Sequence, residues 1–300
     1  MGIRRSIGHF ISSWLTKETS VGNVALCDFQ RLSYEIRPCD VLLVEGRSRV
    51  SDVIKLITQS VWSHSALYIG RLHDIDDQKT REYLQSHYDI QPDAQLLIET
   101  LLGKGTVITP LKYYENEHLR ICRPKGIQRD DAQHVVRFAV DSLGTEYDVR
   151  QLLDLARFMF PYSFLPRKWR SSLFEHNTGI PTHTVCSTMI ASAFMAVNFP
   201  ILPVVHKDEN GYTHLYQRNP KRFTPRDFDY SPYFDIIKYP FITIDGRSLY
   251  KNLPWNSDGL VCNDEYDCYI PQAHPSMARQ TPQPATEVEE IDHDEVKSPS

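Results

Sequence analysis

QSVWSHSALYIG, residues 59–70, passes from a polar segment into an apolar one, and a histidine between two serines stands at the junction. The part from His64 to Gly70 is typical of a strand that ends at a glycine. A histidine at the beginning of such a strand suits a solvated strand end, a metal ligand or one half of a catalytic pair. The choice among these depends on the partners that the rest of the chain offers.

Further strands and helices are predicted on both sides of this strand. Strands are expected at 40–46, 95–101, 105–111 and 118–124, with a possible edge strand at 233–241. Helices are expected at 48–61, with Ser48 or Ser51 as the N-cap, and at 130–144, 149–160 and 182–199. The polar segment 71–94 is interpreted as an insertion. The predicted fold class is α+β, with a small, mainly antiparallel sheet or open barrel packed against helices.

The chain is divided by composition into three parts. Residues 1–32 are expected to form an amphipathic helical N-terminal segment, 33–270 one domain, and 271–300 a disordered acidic tail. The first twenty residues have apolar side chains at helical spacing together with basic ones, which suits either a helix packed on the domain or a peripheral membrane contact. Gly2 and Ser6 also match the N-myristoylation pattern.

Composition excludes several classes of function. A net charge of −5 over 300 residues gives no reason to expect a nucleic-acid partner. No apolar run is long enough to span a bilayer, and no secretory signal is visible, so a cytoplasmic protein is expected, with membrane contact through residues 1–20 as an option. The cysteine spacing supports neither a zinc site nor a disulfide framework and fits a reducing compartment. The six cysteines are Cys27, Cys39, Cys122, Cys186, Cys262 and Cys268.

Cys186 is the candidate nucleophile because it lies near the predicted start of an apolar helix. Free backbone N–H groups and the helix dipole stabilise a thiolate there, although a core cysteine is the ordinary alternative. A nucleophile also needs a base and a group that orients the base. His64 is the candidate base, and Glu99, the polar exception in LLIETLLG, is the candidate orienting group because a carboxylate in a buried strand needs a partner.

The order of these elements resembles the circularly permuted papain-like hydrolases of the YiiX type, relatives of the NlpC cell-wall peptidases. The resemblance covers about residues 36–199 and depends on five segments, with a possible closing segment at 223–237. The five segments are RPCDVLLVEG, SVWSHSALYIG, LLIETLLGKGTVITPL, SLGTEYDV and TVCSTMIASAF. It implies a cysteine hydrolase in which Cys186 is the nucleophile, His64 the base and Glu99 the orienting group. It implies neither a cofactor nor a metal, and its substrate is a peptide, a protein or an acyl lipid.

Two positions depart from the family pattern. Cys39 replaces the glycine that usually precedes Asp40, so the turn into the first strand is expected to differ. Thr188 stands where the family tends to have an acid after Cys-Ser, which affects the expected substrate or activity. Tyr147 and Asp148 match the family's Tyr-Asp element and are interpreted as packing residues.

Three alternatives stay open. Enzymes of the lecithin:retinol acyltransferase type also order histidine before cysteine, and an aromatic stretch at 158–169 would suit an acyl chain, but their Asn-Cys-Glu-His block is absent around Cys186. The second alternative is an inactive papain-like scaffold that binds a partner. The third is a metalloprotein using His64 and His73, for which no third ligand stands at a recognisable spacing.

Overall fold

A computed structural model describes residues 26–101, 104–145, 185–242, 261–262 and 267–270. Several predictions therefore fall outside the described residues: the N-terminal helix and its membrane contact at 1–20, the helix at 149–160, the pair Tyr147 and Asp148, the aromatic stretch at 158–169 and the tail at 271–300. The chain divides into two compact units, Met1–Thr243 and Ile244–Ser300.

The first unit contains a six-stranded sheet in which every neighbouring pair is antiparallel. The strands are β1 Val41–Glu45, β2 His64–Gly70, β3 Leu96–Leu101, β4 Gly105–Pro110, β5 His118–Pro124 and β8 Phe234–Ile237. Their order across the sheet is β4-β3-β2-β1-β5-β8. The first five agree with the strands predicted from the sequence pattern, and β8 lies at an edge of the sheet as expected.

Six α-helices are described, all in the first unit. They are α1 Phe29–Glu35, α2 Arg49–Thr58, α3 Gln78–His87, α4 Arg129–Asp141, α5 Val185–Ala196 and α6 Pro225–Tyr230. Of the two cap candidates for α2, Ser48 is the N-cap, and its side chain accepts a hydrogen bond from the Ser51 N–H. No helix in the described part of the chain is long and apolar enough to cross a membrane.

Alternation along the strands separates two cores, one on each face of the sheet. On the first face, Val41 and Leu43 of β1 join a cluster that includes Ile190 and Phe194 of α5. On the other face, Leu42 and Val44 pack in a cluster with Leu32 of α1. The sheet is therefore a central layer between helices, which gives the α+β class expected from the sequence.

Helix α5 lies against the centre of the first core. It contacts α4, β2 and β3, and its Ile190, Ala191, Ala193 and Phe194 are fully buried. Small side chains among the large ones let the helix approach the sheet closely. This packing brings the beginning of α5 to the end of the sheet where β2 begins.

The turn into β1 has a glycine-like backbone although it lacks glycine. Cys39 has φ 75°, in the left-handed region that favours glycine, and its side chain is fully buried. The cysteine therefore adopts a backbone conformation that glycine adopts most readily. Burial also raises the pKa of the Cys39 thiol.

Two segments contain structure that pattern alone did not predict. The insertion at 71–94 forms a 3-10 turn, Leu72–Asp74, followed by α3. Beyond α5, where the sequence predicts only the edge strand at 233–241, β6 Val204–Lys207 and β7 Thr213–Tyr216 form a separate two-stranded sheet whose strand residues are all exposed. Periodicity predicts strands through their buried side, and this hairpin has none.

Of the second unit, only 261–262 and 267–270 are described. They form a short antiparallel pair, β9 Val261–Cys262 and β10 Cys268–Tyr269. Cys268 is disulfide-bonded. The spacing argument against disulfides therefore does not hold at this position, since backbone pairing, which spacing does not reveal, sets which cysteines approach. Cys27, Cys39, Cys122 and Cys186 are free thiols.

Candidate active site

The three residues singled out from the sequence come together at one end of the sheet. His64 is the first residue of β2, Glu99 lies in the neighbouring strand β3, and Cys186 is the second residue of α5 as described. Because β2 and β3 pair directly and α5 packs on both, long separations in the chain become contacts in the fold.

His64 and Glu99 make a direct side-chain contact. The Nε2 atom of His64 is hydrogen-bonded to Oε2 of Glu99. The carboxylate is fully buried, whereas the imidazole side chain keeps 18% of its surface exposed. Burial acts to raise the pKa of Glu99, but the hydrogen bond and positive charge of His64, together with hydrogen bonds from Thr109 and Tyr114, outweigh it, and the carboxyl pKa lies below its ordinary value.

Cys186 and His64 perturb each other strongly. Burial acts to raise the pKa of Cys186, but the charge and hydrogen bond of His64, with a smaller contribution from Ser65, lower it below the ordinary thiol value. Burial acts to lower the pKa of His64, yet Cys186 and then Glu99 raise it to about 10. Both shifts favour a thiolate beside an imidazolium.

Two serines extend this contact between strand and helix. Ser65 follows His64 in the chain, Ser187 follows Cys186, and both are fully buried. Their hydroxyl oxygens lie 3.0 Å apart, and Ser187 Oγ is 3.9 Å from the sulfur of Cys186. In an antiparallel pair, the N–H groups of alternate residues point to the same neighbouring strand. The pairing of β2 with β3 begins only at Leu67, so the Ser65 N–H is not used in that ladder. This N–H is instead hydrogen-bonded to the Cys186 sulfur, which lowers the pKa of the thiol.

Tyr114 is a fourth side chain of the cluster. It ends a 3-10 turn, Leu111–Tyr114, and its hydroxyl donates to Oε2 of Glu99 at 2.5 Å. Its ring faces the imidazole of His64 with centroids 6.3 Å apart and planes inclined by 29°. Burial, followed by the negative charge of Glu99, raises the pKa of the Tyr114 phenol, which therefore remains a donor.

The second carboxylate oxygen has a different environment. Thr109 lies close enough to lower the pKa of Glu99. Oε1 of Glu99 nevertheless has no hydrogen-bond partner within the described ranges. His64 and Tyr114 both donate to the other oxygen, Oε2.

The chain just before His64 is held in place by polar and aromatic contacts. The Gly46 N–H donates to Ser63 Oγ at 2.9 Å. Trp62 is buried, and the guanidinium of Arg120 lies over its ring, 4.6 Å from the centroid. Arg120 in turn forms an ion pair with Asp229 at 2.6 Å. These contacts fix the start of β2, which positions the imidazole.

Sequence reasoning found the three central residues but missed the side chains around them. Ser65 and Ser187 directly follow His64 and Cys186 in the chain, so their adjacency to predicted site residues could have identified them. Tyr114 stands beyond β4 in a short turn, where no periodicity or motif singles it out. Only the approach of that turn to β3 reveals its role.

The metal alternative finds no support in the geometry. His73 contacts Asp74 at 3.7 Å and has a largely exposed side chain. In the part of the chain that is described, no group of three or more histidine, cysteine or acidic residues is arranged to hold a metal ion.

Comparison with known proteins adds little to this geometry. No protein-family model matches the chain, and no curated protein matches it in sequence. A solved structure, that of the metalloprotein yiiX from Escherichia coli O157:H7, DUF1105, aligns with 69% of this chain and 98% of its own at 13% identity. Its TM-score is 0.40, a distant likeness that supports no assignment by itself.

Proposed function

We propose that this protein is a thiol-dependent hydrolase with a permuted papain-like site, in which Cys186 attacks an amide or ester carbonyl. The observation that carries the proposal is the continuous contact from a buried carboxylate through an imidazole to a thiol whose pKa is lowered. A structural cysteine in the core has its pKa raised by burial, as Cys122 of strand β5 does.

In the proposed reaction, the proton of the Cys186 thiol resides on His64 before the substrate binds. The thiolate sulfur attacks the carbonyl carbon, the C–S bond forms, and the carbonyl oxygen becomes an oxyanion. Collapse of this intermediate breaks the bond to the leaving amine or alcohol, which takes its proton from His64. A thioester on Cys186 remains.

Water then completes the cycle. His64, now neutral, accepts a proton from the water as the water oxygen attacks the thioester carbon. The C–S bond breaks, the carboxylic acid product leaves, and the proton on His64 restores the ion pair with the Cys186 thiolate. Glu99 keeps Nε2 of the imidazole occupied throughout, so that the other ring nitrogen is directed to the reacting groups.

The backbone around the nucleophile supplies the polar groups that this chemistry needs. A thiolate near a helix start is stabilised by free N–H groups there. The Ser65 N–H, directed at the sulfur, is a second donor at the reaction centre. This N–H supports the negative charge on the sulfur before the attack on the carbonyl carbon.

The first test is the rate of alkylation of Cys186 by iodoacetamide from pH 4 to 10, followed by peptide mass mapping to separate it from the other thiols. We expect a thiolate that titrates well below the value of about 8.5 for an ordinary thiol. His64→Ala should abolish that shift. The matched control is His214→Ala, which removes an exposed histidine paired with Asp208 at 3.1 Å, and should leave the profile unchanged.

A slow thiol with an ordinary pKa, indifferent to His64, would make Cys186 a core residue and remove the proposal. If the shift is present, a panel of 4-nitroanilides and 4-nitrophenyl esters with peptidyl and acyl groups tests turnover. Cys186→Ala should abolish turnover on any substrate of the panel and leave the circular dichroism spectrum unchanged. Turnover in that variant equal to the wild type would contradict the mechanism.

A further inference from the structure

We propose that Tyr114 is a positioning residue, whose phenol keeps Glu99 ionised and aligned against His64 and thereby sets the lower pH limit of the site. This inference rests on the proposed function, because it concerns the same thiol and imidazole. Tyr114 reaches neither the sulfur nor a substrate by any contact described above, so its hydroxyl acts through Glu99, while its ring packs beside the imidazole of His64.

The first support for this role is the burial of the carboxylate. Glu99 has no exposed surface, and a buried carboxylate that lacks hydrogen bonds is strongly destabilised in its charged form. The imidazole of His64 and the phenol of Tyr114 both donate to Oε2, while Oε1 has no hydrogen-bond partner within the described residues. Removal of the phenol would leave Oε2 with the imidazole, which is the group that Glu99 is proposed to orient, and would leave Thr109 as the other neighbour that lowers the pKa of Glu99.

The geometry also shows that Tyr114 constrains direction. Its hydroxyl lies 2.5 Å from Oε2, and its ring lies beside the imidazole with centroids 6.3 Å apart. The carboxylate is therefore held between two groups that approach the same oxygen. A phenylalanine would keep the ring contact with His64 and lose only the hydrogen bond, which separates the two contributions of the side chain.

The groups that face this pair come from several elements. His64 approaches from β2, Cys186 from α5, Thr109 from β4, and Tyr113 stands next to Tyr114 in the chain. Of these, His64 and Cys186 share the proton on which the mechanism depends. Glu99 is the group whose protonation would remove the negative charge that supports the imidazolium.

The sign of the pH effect follows from these contacts. In the wild type the pKa of Glu99 is held below its ordinary value, so the carboxylate stays charged as the pH falls. Without the phenol, Glu99 takes up a proton at a higher pH. The imidazolium then loses its counter-charge, and the thiolate loses its partner at a higher pH than in the wild type.

The test is the pH profile of Cys186 alkylation, and of turnover where a substrate is known, for Tyr114→Phe in the full chain. We expect the acid limb to move up by about one pH unit, with rates near pH 8 within about threefold of the wild type. Glu99→Gln, which cannot ionise, should lower the rate across the whole range. Tyr113→Phe is the matched control, since Tyr113 is 77% exposed and contacts Tyr114 only edge-on at 5.3 Å.

A second variant distinguishes loss of the hydrogen bond from loss of folding, in case Tyr114→Phe does not fold. Replacement of Tyr114 by 3,5-difluorotyrosine preserves the side-chain shape closely and makes the phenol a stronger donor. The acid limb should then move to lower pH, opposite to the shift in Tyr114→Phe. A merely structural role would give uniform losses at every pH and no shift in either direction.

The outcomes separate this inference from the proposed function. A wild-type thiol with an ordinary pKa overturns both. A lowered thiol pKa that depends on His64, together with acid limbs that do not move in either Tyr114 variant, overturns the role of Tyr114 alone. Acid limbs that move in opposite directions in the two variants support both.

Discussion

Ser65 and Ser187 are the residues whose individual effects are easiest to separate. Their hydroxyl groups are hydrogen-bonded to each other at 3.0 Å, and Ser65 also lowers the pKa of Cys186. The Ser65 hydroxyl therefore has two neighbouring acceptors, the Ser187 oxygen and the Cys186 sulfur, and the sulfur is charged when the thiol is ionised. A hydrogen bond to a charged group is about twice as strong as one to a neutral group.

We expect Ser65→Ala to raise the pKa of the Cys186 thiol and Ser187→Ala not to raise it. Ser65→Ala removes a donor to the sulfur and should raise the apparent pKa of Cys186 by up to about one unit. Ser187→Ala frees the Ser65 hydroxyl to donate to the sulfur, so the pKa should stay or fall. Alkylation profiles measure both; a rise of the thiol pKa in both variants would instead indicate general loosening of the contact between β2 and α5.

At the level of the secondary-structure elements, β1 and β5 are joined by a buried ion pair at the end of their ladder. Asp40, just before β1, has a side chain only 1% exposed and accepts bonds from Arg123 of β5, the shortest at 2.8 Å. The Arg37 N–H adds a further bond at 2.8 Å. Burial nevertheless raises the pKa of Asp40 because it outweighs these partners. The Asp40–Arg123 ion pair therefore contributes little net free energy to folding and mainly specifies the alignment of β1 with β5.

Arg123→Met should destabilise the fold by about 3 kcal/mol, because it leaves the Asp40 charge buried without its main partner. Asp40→Asn combined with Arg123→Met should cost clearly less than the sum of the two single changes, since the uncompensated charge is then absent. Urea unfolding of the four proteins measures this coupling. Additive losses would show that the two side chains act independently.

For the molecule as a whole, the proposed ion pair between His64 and Cys186 should change the free energy of unfolding little near neutral pH. The raised pKa of His64 stabilises the fold below about pH 6.5, and this contribution is lost as the pH rises toward 10. The lowered pKa of Cys186 acts in the opposite sense, since its contribution is present at high pH and lost as the pH falls. Because the folded protein mainly moves a proton between the two groups, the two effects offset each other.

Glu99 should dominate on the acid side. Its lowered pKa contributes stability that is present above its unfolded value of 4.5 and is lost as the pH falls through the folded value. The wild type should therefore lose more stability between pH 5 and pH 3 than Glu99→Gln does. Asp40, with a raised pKa, acts in the opposite direction in both proteins and cancels in the comparison. Urea midpoints at pH 3, 4, 5 and 7 measure the difference; parallel curves would contradict it.

The sequence by itself determined the elements that are buried on one side and end at clear signals. Five strands of the large sheet and helices α2, α4 and α5 follow from apolar periodicity, and the cap of α2 was narrowed to Ser48 or Ser51. The order of His64, Glu99 and Cys186 was also visible: a histidine at the start of a strand, a carboxylate inside one, and a cysteine near the start of an apolar helix. Glu99 stands out because a polar group in a buried element requires a partner.

Only the tertiary structure decided which groups become those partners. Tyr114 reaches Glu99 from a turn with no pattern of its own, and Ser65 faces Ser187 because β2 and α5 pack together. The exposed hairpin β6–β7 and the disulfide at Cys268 escaped prediction for the same reason, since neither has a buried periodic side or an informative spacing. Periodicity is a local property of the chain, whereas the approach of two side chains depends on how whole elements pack, which no short stretch of sequence encodes.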